Sequence, residues 1–384
     1  MPRKRSLYLN QFRRSGSTRR RFLQGSAAAI AGVTLANCQR NIADVQSQED
    51  AEAAPSSGDA SGRLHVYTWA DYTNDDLINA FTEKTGIEVI VDIYDSNETM
   101  LAKMQAGGGD AYSILYPSDY MVQQMIELGM LTTIDKDRIQ GLDNIFDKWQ
   151  NPVYDSDNTF STPFAWGTTG LLYNKEIVSG DPEDWDYLWE NKAQLSRRIT
   201  LLDDVRETMG AVLKSLGYSY NSTDPGEIEE AFNKLAELKP AIASFMSFGF
   251  EDGLLGGDLS VVMAYSVDAL STIEEDDRLE YVIPISGSSV WTDTMVIPTS
   301  APNVDAAYEW INFNLDPAIA QLNTETLFNA TPNKVAYDNL SDDFKNNTDL
   351  FPPADILERC EGIAPLVSDT AALYDEYWTR ITSA

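Results

Sequence analysis

Residues 64–105 read LHVYTWADYTNDDLINAFTEKTGIEVIVDIYDSNETMLAKMQ, and their periodicity decides the fold class. Residues 64–67 read as a strand. Residues 75–85 then place Leu77, Ile78 and Phe81 on one helical face and stop at Gly86. Residues 87–93 read as a buried strand, 98–105 as a helix, 113–115 as a third strand and 120–128 as a third helix. This βαβαβα order predicts an α/β protein with a mainly parallel, helix-covered sheet.

A second α/β set follows at 170–173, 185–189, 199–202, 208–216, 225–238 and 259–265. Strands ending in proline are expected at 281–284 and 295–298, and helices dominate after Asp305. No internal repeat occurs at a fixed period. Open parallel sheets bind ligands beyond the C-terminal ends of their strands. Trp69-Ala70-Asp71-Tyr72, Ser118-Asp119-Tyr120 and Asp203-Asp204-Val205-Arg206-Glu207 fall at such ends, and Trp291-Thr292-Asp293 precedes a further strand.

The 384-residue chain is 43% hydrophobic and 10% aromatic, enough for buried cores and about two domains. Residues 1–38 hold eight of the 28 Lys and Arg and none of the 60 Asp and Glu; beyond Cys38 stand 20 basic against 60 acidic residues, a net charge of −40. Such a body is no general nucleic-acid binder, because phosphate contacts need a basic surface. Two cysteines exclude a disulfide scaffold, and the single histidine, His65, excludes His-rich metal sites and most Ser-His or Cys-His catalysis. Cys360 is expected to be a partly buried free thiol.

The N-terminus has the layout of a bacterial signal peptide, a basic start before the small apolar stretch 27–36. Arg19-Arg20-Arg21-Phe22-Leu23 resembles the twin-arginine export motif. Leu35-Ala36-Asn37-Cys38 resembles a lipobox, with Asn37 departing from the usual Gly or Ala and Cys38 the residue that would be acylated. Residues 39–61 are small and polar with no periodic apolar face, the composition of a flexible linker. Together these predict an exported, periplasmic body, held to a membrane if Cys38 is lipidated.

Rings and carboxylates recurring together suit an organic cation with methylene spacers. Each buried ammonium needs a counter-charge, and aromatic faces wall the methylenes and attract the cation. Trp69, Tyr72, Tyr120, Tyr265 and Trp291 supply candidate walls; Asp71, Asp204, Glu207 and Asp293 supply candidate charges. Each has a plainer reading, the rings as core, Asp203 and Asp204 as helix caps and Glu207 as a partner of the helix dipole. Paired carboxylates also leave a secreted glycoside hydrolase open. Asp155-Ser156-Asp157-Asn158 starts like a calcium loop but has Phe160 where glycine is needed and reads as a turn. Gly107-Gly108-Gly109 lacks the Lys-Ser/Thr of a phosphate loop and reads as a mobile loop.

These clusters resemble the bacterial periplasmic spermidine/putrescine-binding proteins, the solute receptors of polyamine ABC importers. The resemblance covers about residues 64–381. It is carried by Tyr67-Thr68-Trp69-Ala70-Asp71-Tyr72, Tyr94-Asp95-Ser96-Asn97-Glu98-Thr99-Met100, Pro163-Phe164-Ala165-Trp166-Gly167, Leu202-Asp203-Asp204-Val205-Arg206-Glu207, Trp291-Thr292-Asp293 and Thr331-Pro332-Asn333, in that order. It implies the two-lobed type II periplasmic binding fold with the ligand in the cleft between lobes. One lobe would be 62–167 plus 293–337, the other 168–292 plus 338–384. Carried over by motif, Trp69, Tyr72, Tyr120, Tyr265 and Trp291 form an aromatic box. Asp204, Glu207, Asp293 and Asp71 bind ammonium groups, and Ser118 is a hydrogen-bonding partner. The implied partners are a polyamine and a membrane permease with its cytoplasmic ATPase, with no cofactor, no metal and no enzymatic activity. Ala70 replaces a hydroxyl residue, Tyr265 a tryptophan and Asn329 a tyrosine, and Ala364 stands near a missing glutamine. These departures leave the cation site intact and chain-length selectivity open. A receptor of the same fold for another solute is the remaining alternative; an anion is disfavoured because Arg206 is the only basic residue in the motifs around the cleft.

Overall fold

Nine strands run through the described residues, 62–70 and 72–383, of this computed structural model: β1 Arg63–Trp69, β2 Glu88–Tyr94, β3 Ile114–Leu115, β4 Ser161–Asn174, β5 Ile199–Leu201, β6 Ile242–Phe245, β7 Val261–Tyr265, β8 Leu279–Val282 and β9 Val290–Val296. The opening βαβαβ unit forms as its periodicity predicts. β1 pairs in parallel with both β2 and β3. The helix Asp75–Thr85 starts where the Asn74 side chain accepts from the Leu77 N–H, and it ends at Gly86, whose φ of 75° suits a residue without Cβ.

The strands follow the order β2-β1-β3-β9-β4-β7-β5-β6, with β8 also on β4. β9 is antiparallel to β3 and β4, and β7 and β8 are antiparallel to β4. The sheet is therefore mixed, parallel within each half and antiparallel where the halves join. The strand expected at 87–93 is not buried. β2 has one neighbour and sits at the sheet edge, where Glu88, Asp92 and Ile93 are exposed.

The joining strands are longer than their local sequence suggests. β4 runs for 14 residues, all buried, so the strand read at 170–173 is only its second half. Pro163 and Gly167 disguise the first half, and the register shifts between Pro163 and Ala165 as a proline in a ladder requires. β9 begins five residues earlier than the strand expected at Met295, which places Trp291 and Asp293 within it. Up to Thr168, β4 pairs with β9; from Thr169 onward it pairs with β7 and then β8.

Two main hydrophobic cores pack on the two halves. One is built from Phe81, Met100, Tyr116, Trp310 and Phe313, the other from Trp185, Leu202, Met209, Leu235 and Val261, with a smaller cluster around Phe250 and Tyr281. Residues after 337 divide between them: Leu350, Phe344 and Phe351 pack on the first, Tyr374 and Ile381 on the second. The turn read at 155–158 is closed by the Asp155 carboxylate, which accepts from the backbone of Thr159, Phe160 and Ser161. The glycines at 107–109 enter a short 3-10 turn, with Gly109 buried against Met104. Cys360 is half-buried and unbridged, and its thiol donates to the Ile356 carbonyl. The export and lipidation motifs, Cys38 and the linker 39–61 lie outside the described residues.

Candidate functional site

The ends of β1, β3 and β7, the start of the helix Val205–Ser215 and the crossing strand β9 converge on one narrow cavity. The room inside it for the centre of a water-sized sphere is about 40 Å³. Nine of the ten expected ligand residues line it, namely Trp69, Tyr72, Ser118, Tyr120, Asp204, Glu207, Tyr265, Trp291 and Asp293; the tenth, Asp71, lies outside the described residues.

Two of the rings are fixed through their polar tips. Trp69 Nε1 donates to the Tyr116 carbonyl at 2.8 Å, and the Tyr120 hydroxyl donates to Glu98 at 3.0 Å. Trp291 and Tyr265 meet edge to face, with ring centroids 6.0 Å apart. The Trp291 ring lies across Gly167, where any Cβ would collide with its six-membered ring, so the glycine in β4 makes room for the wall. Trp291 is only 6% exposed, and its Nε1–H has no partner among the described residues.

Each carboxylate is held by donors of its own. Asp293 accepts from the Tyr72 hydroxyl and, at 2.6 Å, from Ser118 Oγ. Ser118 is in turn fixed by Asn97, whose Oδ1 accepts from the Ser118 N–H and whose Nδ2 donates to Ser118 Oγ. Glu207 is 2% exposed and accepts from the Tyr220 hydroxyl at 2.7 Å and Ser289 Oγ at 2.8 Å. Asp204 is an N-cap, its Oδ1 accepting from the N–H groups of Arg206 and Glu207. The capping role and the cavity position thus belong to one side chain.

Burial sets the proton affinities. It raises Asp293 to about 6, raises Glu207 to about 7 with help from the Asp204 charge, and raises Asp204 as well. Two acids that the sequence reading did not select behave alike. Asp119 is pushed up to about 8 by burial, although it accepts from the Tyr120 N–H and the nearby Thr292 N–H also favours its charge. Glu98, whose flank stays open to solvent, rises to about 7 through desolvation of its carboxylate and repulsion from Asp204. Asn97, Asp119, Phe248, Val267, Asp268 and Ile363 complete the lining with Ala70. Asn97 and Asp119 lie in the motifs Tyr94–Met100 and Ser118–Tyr120, where the neighbouring rings and acids mark the segment without singling out either residue; Phe248, Val267, Asp268 and Ile363 carry no local signal.

Arg206 turns away from the cavity. Its guanidinium donates to the Ala364 carbonyl at 2.9 Å and to Asn221 Oδ1 at 3.1 Å. The described lining therefore contains five carboxylates, Asp119, Asp204, Glu207, Asp268 and Asp293, and no basic side chain. A slot of this kind repels anions and, when ionised, needs cations to neutralise it.

A family model described as bacterial extracellular solute-binding protein matches residues 76–352. The chain is 35% identical over 321 residues to the spermidine/putrescine-binding periplasmic protein of Salmonella typhimurium, covering 83% of this chain and 91% of that protein. It is 30% identical over 340 residues to a putrescine/cadaverine-binding protein of Pseudomonas aeruginosa, covering 86% and 96%. The solved structure of the spermidine/putrescine ABC transporter substrate-binding protein of Streptococcus pneumoniae superposes with a TM-score of 0.73 at 35% identity, covering 84% of this chain and 99% of that one.

Proposed function

Because the chain belongs to the bacterial extracellular solute-binding protein family, we propose that it is the extracytoplasmic polyamine receptor of an ABC importer, delivering spermidine or putrescine to a membrane permease with its ATPase. It binds and hands over a solute and is not an enzyme. The observation that carries this reading is the aromatic-walled cavity with five carboxylates and no basic residue in its described lining. Its ligand is thus a chain of methylenes bearing cationic ends, whose ammonium groups pair the acids and whose spacers lie on Trp69, Tyr120, Tyr265 and Trp291.

In this reading Asp204, Glu207 and Asp293 hold ammonium groups, Tyr72 and Ser118 orient Asp293, and Asp71 adds a further charge as the family resemblance implies. The lobes are 62–167 plus 293–337 and 168–292 plus the C-terminal residues; the exchange of β4 partners between Thr168 and Thr169 supports the first boundary, whereas the expected assignment of all of 338–384 to the second lobe is opposed by Phe344, Leu350 and Phe351, which pack on the first core. Titration calorimetry with putrescine, spermidine and spermine, beside a sugar and a dicarboxylate, tests the function. Saturable binding of at least one polyamine is expected; binding of the dicarboxylate or sugar alone would overturn it.

Export by the twin-arginine-type signal and anchoring through acylated Cys38 belong to the same proposal, supported by the basic, acid-free start and the stretch closing at Cys38. Fractionation decides it: replacing Arg19 and Arg20 by lysine should retain the protein in the cytoplasm, and Cys38→Ser should release it from membranes. Unaltered membrane attachment in the serine variant would exclude the anchor.

A further inference from the structure

On the face of the sheet away from the cleft, a second aromatic group meets the strand that carries Trp291 and Asp293. In the β4–β9 register Gly167 stands opposite Trp291 and Ala165 opposite Asp293, while Trp166 stands opposite Thr292. Side chains alternate between faces along a strand, so Thr292 points away from the cleft between two residues that line it. Its hydroxyl accepts from Trp149 Nε1 at 3.1 Å. The Trp149 ring lies 5.4 Å from the Trp166 ring, and the Lys148 ammonium rests 3.7 and 4.2 Å above the two. On the other side the Thr292 backbone N–H lies near enough to the carboxylate of Asp119, itself a wall of the cleft, to favour its charged form. Thr292 is therefore held from behind by an indole, with a cleft acid close to its backbone on the other side.

We propose that Trp149 is a positioning residue for polyamine binding, holding Thr292 and through it fixing where Trp291 and Asp293 stand in the cleft. This rests on the polyamine reading above. Trp149 comes from the segment between the helix Asp119–Glu127 and β4, about 140 residues from Thr292 in sequence. It touches no ligand: its side chain acts only through the crossing strand. A small rotation of β9 would swing its alternate side chains together, moving the ring off the methylenes and the carboxylate off its ammonium.

Titration calorimetry with spermidine and with putrescine on the full chain tests this in Trp149→Phe, which keeps a ring and removes the donor, in Thr292→Val, which removes the acceptor, and in the double variant. Each single change should weaken binding by about three- to tenfold, the range of one net hydrogen bond. The double variant should lose no more than the worse single, because both remove the same bond. Thr292→Ser should recover most of what Thr292→Val loses. Unchanged affinity, losses that multiply in the double variant, or a lower melting temperature with unchanged affinity would each overturn the proposal. If Trp149→Phe does not fold, the comparison of valine with serine at 292 still decides. Wild-type protein that binds neither polyamine would remove the polyamine reading and this inference with it, whereas wild-type binding that survives both substitutions removes only the role of Trp149.

Discussion

At the scale of single residues, Trp291 and Asp293 make separable contributions. The Trp291 ring is a wall held between Gly167 and Tyr265. Trp291→Ala should weaken polyamine binding by about 2–4 kcal/mol, the range for a buried hot-spot aromatic. Trp291→Phe should lose much less, and equal losses in calorimetry would mean that the unpartnered indole N–H, not the ring face, carries the contact. Asp293 is the sharper case. Burial raises it to about 6, so near neutrality the empty site holds an ionised acid whose main compensation is two hydroxyl donors. Asp293→Asn keeps the shape and removes the charge. Breaking one member of a buried ion pair costs about 3–5 kcal/mol, so affinity should fall at least about a hundredfold while the ligand-free melting temperature holds or rises. Unchanged affinity, or collapse of the ligand-free fold, would make Asp293 a structural acid.

At the scale of elements, the helix Val205–Ser215 ties local structure to binding through its first turn. Asp204 caps that helix with one carboxylate oxygen while the residue lines the cavity. Asparagine caps as well as aspartate, whereas alanine does not, at a cost of about 0.5–2 kcal/mol. Asp204→Asn should therefore leave the melting temperature nearly unchanged and still weaken polyamine binding, and Asp204→Ala should lower both. If the asparagine variant binds like wild type, the capping role accounts for the residue completely. The pair of variants separates the two readings that the sequence left open at this position.

At the scale of the whole molecule, acidity governs both pH and salt dependence. Asp119, Glu207, Glu98 and Asp293 have folded-state values of about 8, 7, 7 and 6, all above their ordinary carboxylate values. Unfolding releases their protons at the lower values, so the native state binds more protons in between. The stability linked to these groups is present at acidic pH and lost as pH rises towards about 8. The ligand-free melting temperature should fall between about pH 5 and pH 8, and a bound polyamine should flatten that slope because it favours the ionised acids. Binding should also release protons, visible as a dependence of the calorimetric enthalpy on buffer ionisation; a rising melting curve over that interval would contradict the desolvation of these carboxylates. Salt acts separately. Beyond Cys38 the net charge is −40, and ion pairs such as Arg63–Glu88 and Arg138–Asp305 lie at the surface, where they contribute little. Raising salt from about 0.01 to 0.1 M shortens the screening length from roughly 30 to 10 Å. Relief of self-repulsion should raise the melting temperature over that range. A flat response would show that the repulsion is already absorbed.

Short-range pattern determined a definite share of this protein. The spacing of Leu77, Ile78 and Phe81 before Gly86 gave the first helix, and the alternation of strands and helices from Leu64 gave the parallel βαβ start, because both depend on neighbours within one or two turns. The rings and acids at strand ends were also legible, since strand direction alone sends them to one side. Tertiary structure decided the rest. Pro163 and Gly167 hide the first half of β4, which becomes a strand only when β9 pairs with it and the Trp291 ring covers the glycine. Arg206 belongs to a cleft motif yet points to Ala364, 158 residues away, and Trp149 reaches Thr292 across 143. Desolvation and Coulomb repulsion at Asp119 and Glu98 likewise arise from groups that the chain brings near only by folding. Periodicity records which side of an element faces inward; the partner it meets there, and the charge it can keep, depend on distances that exist only once the lobes have formed.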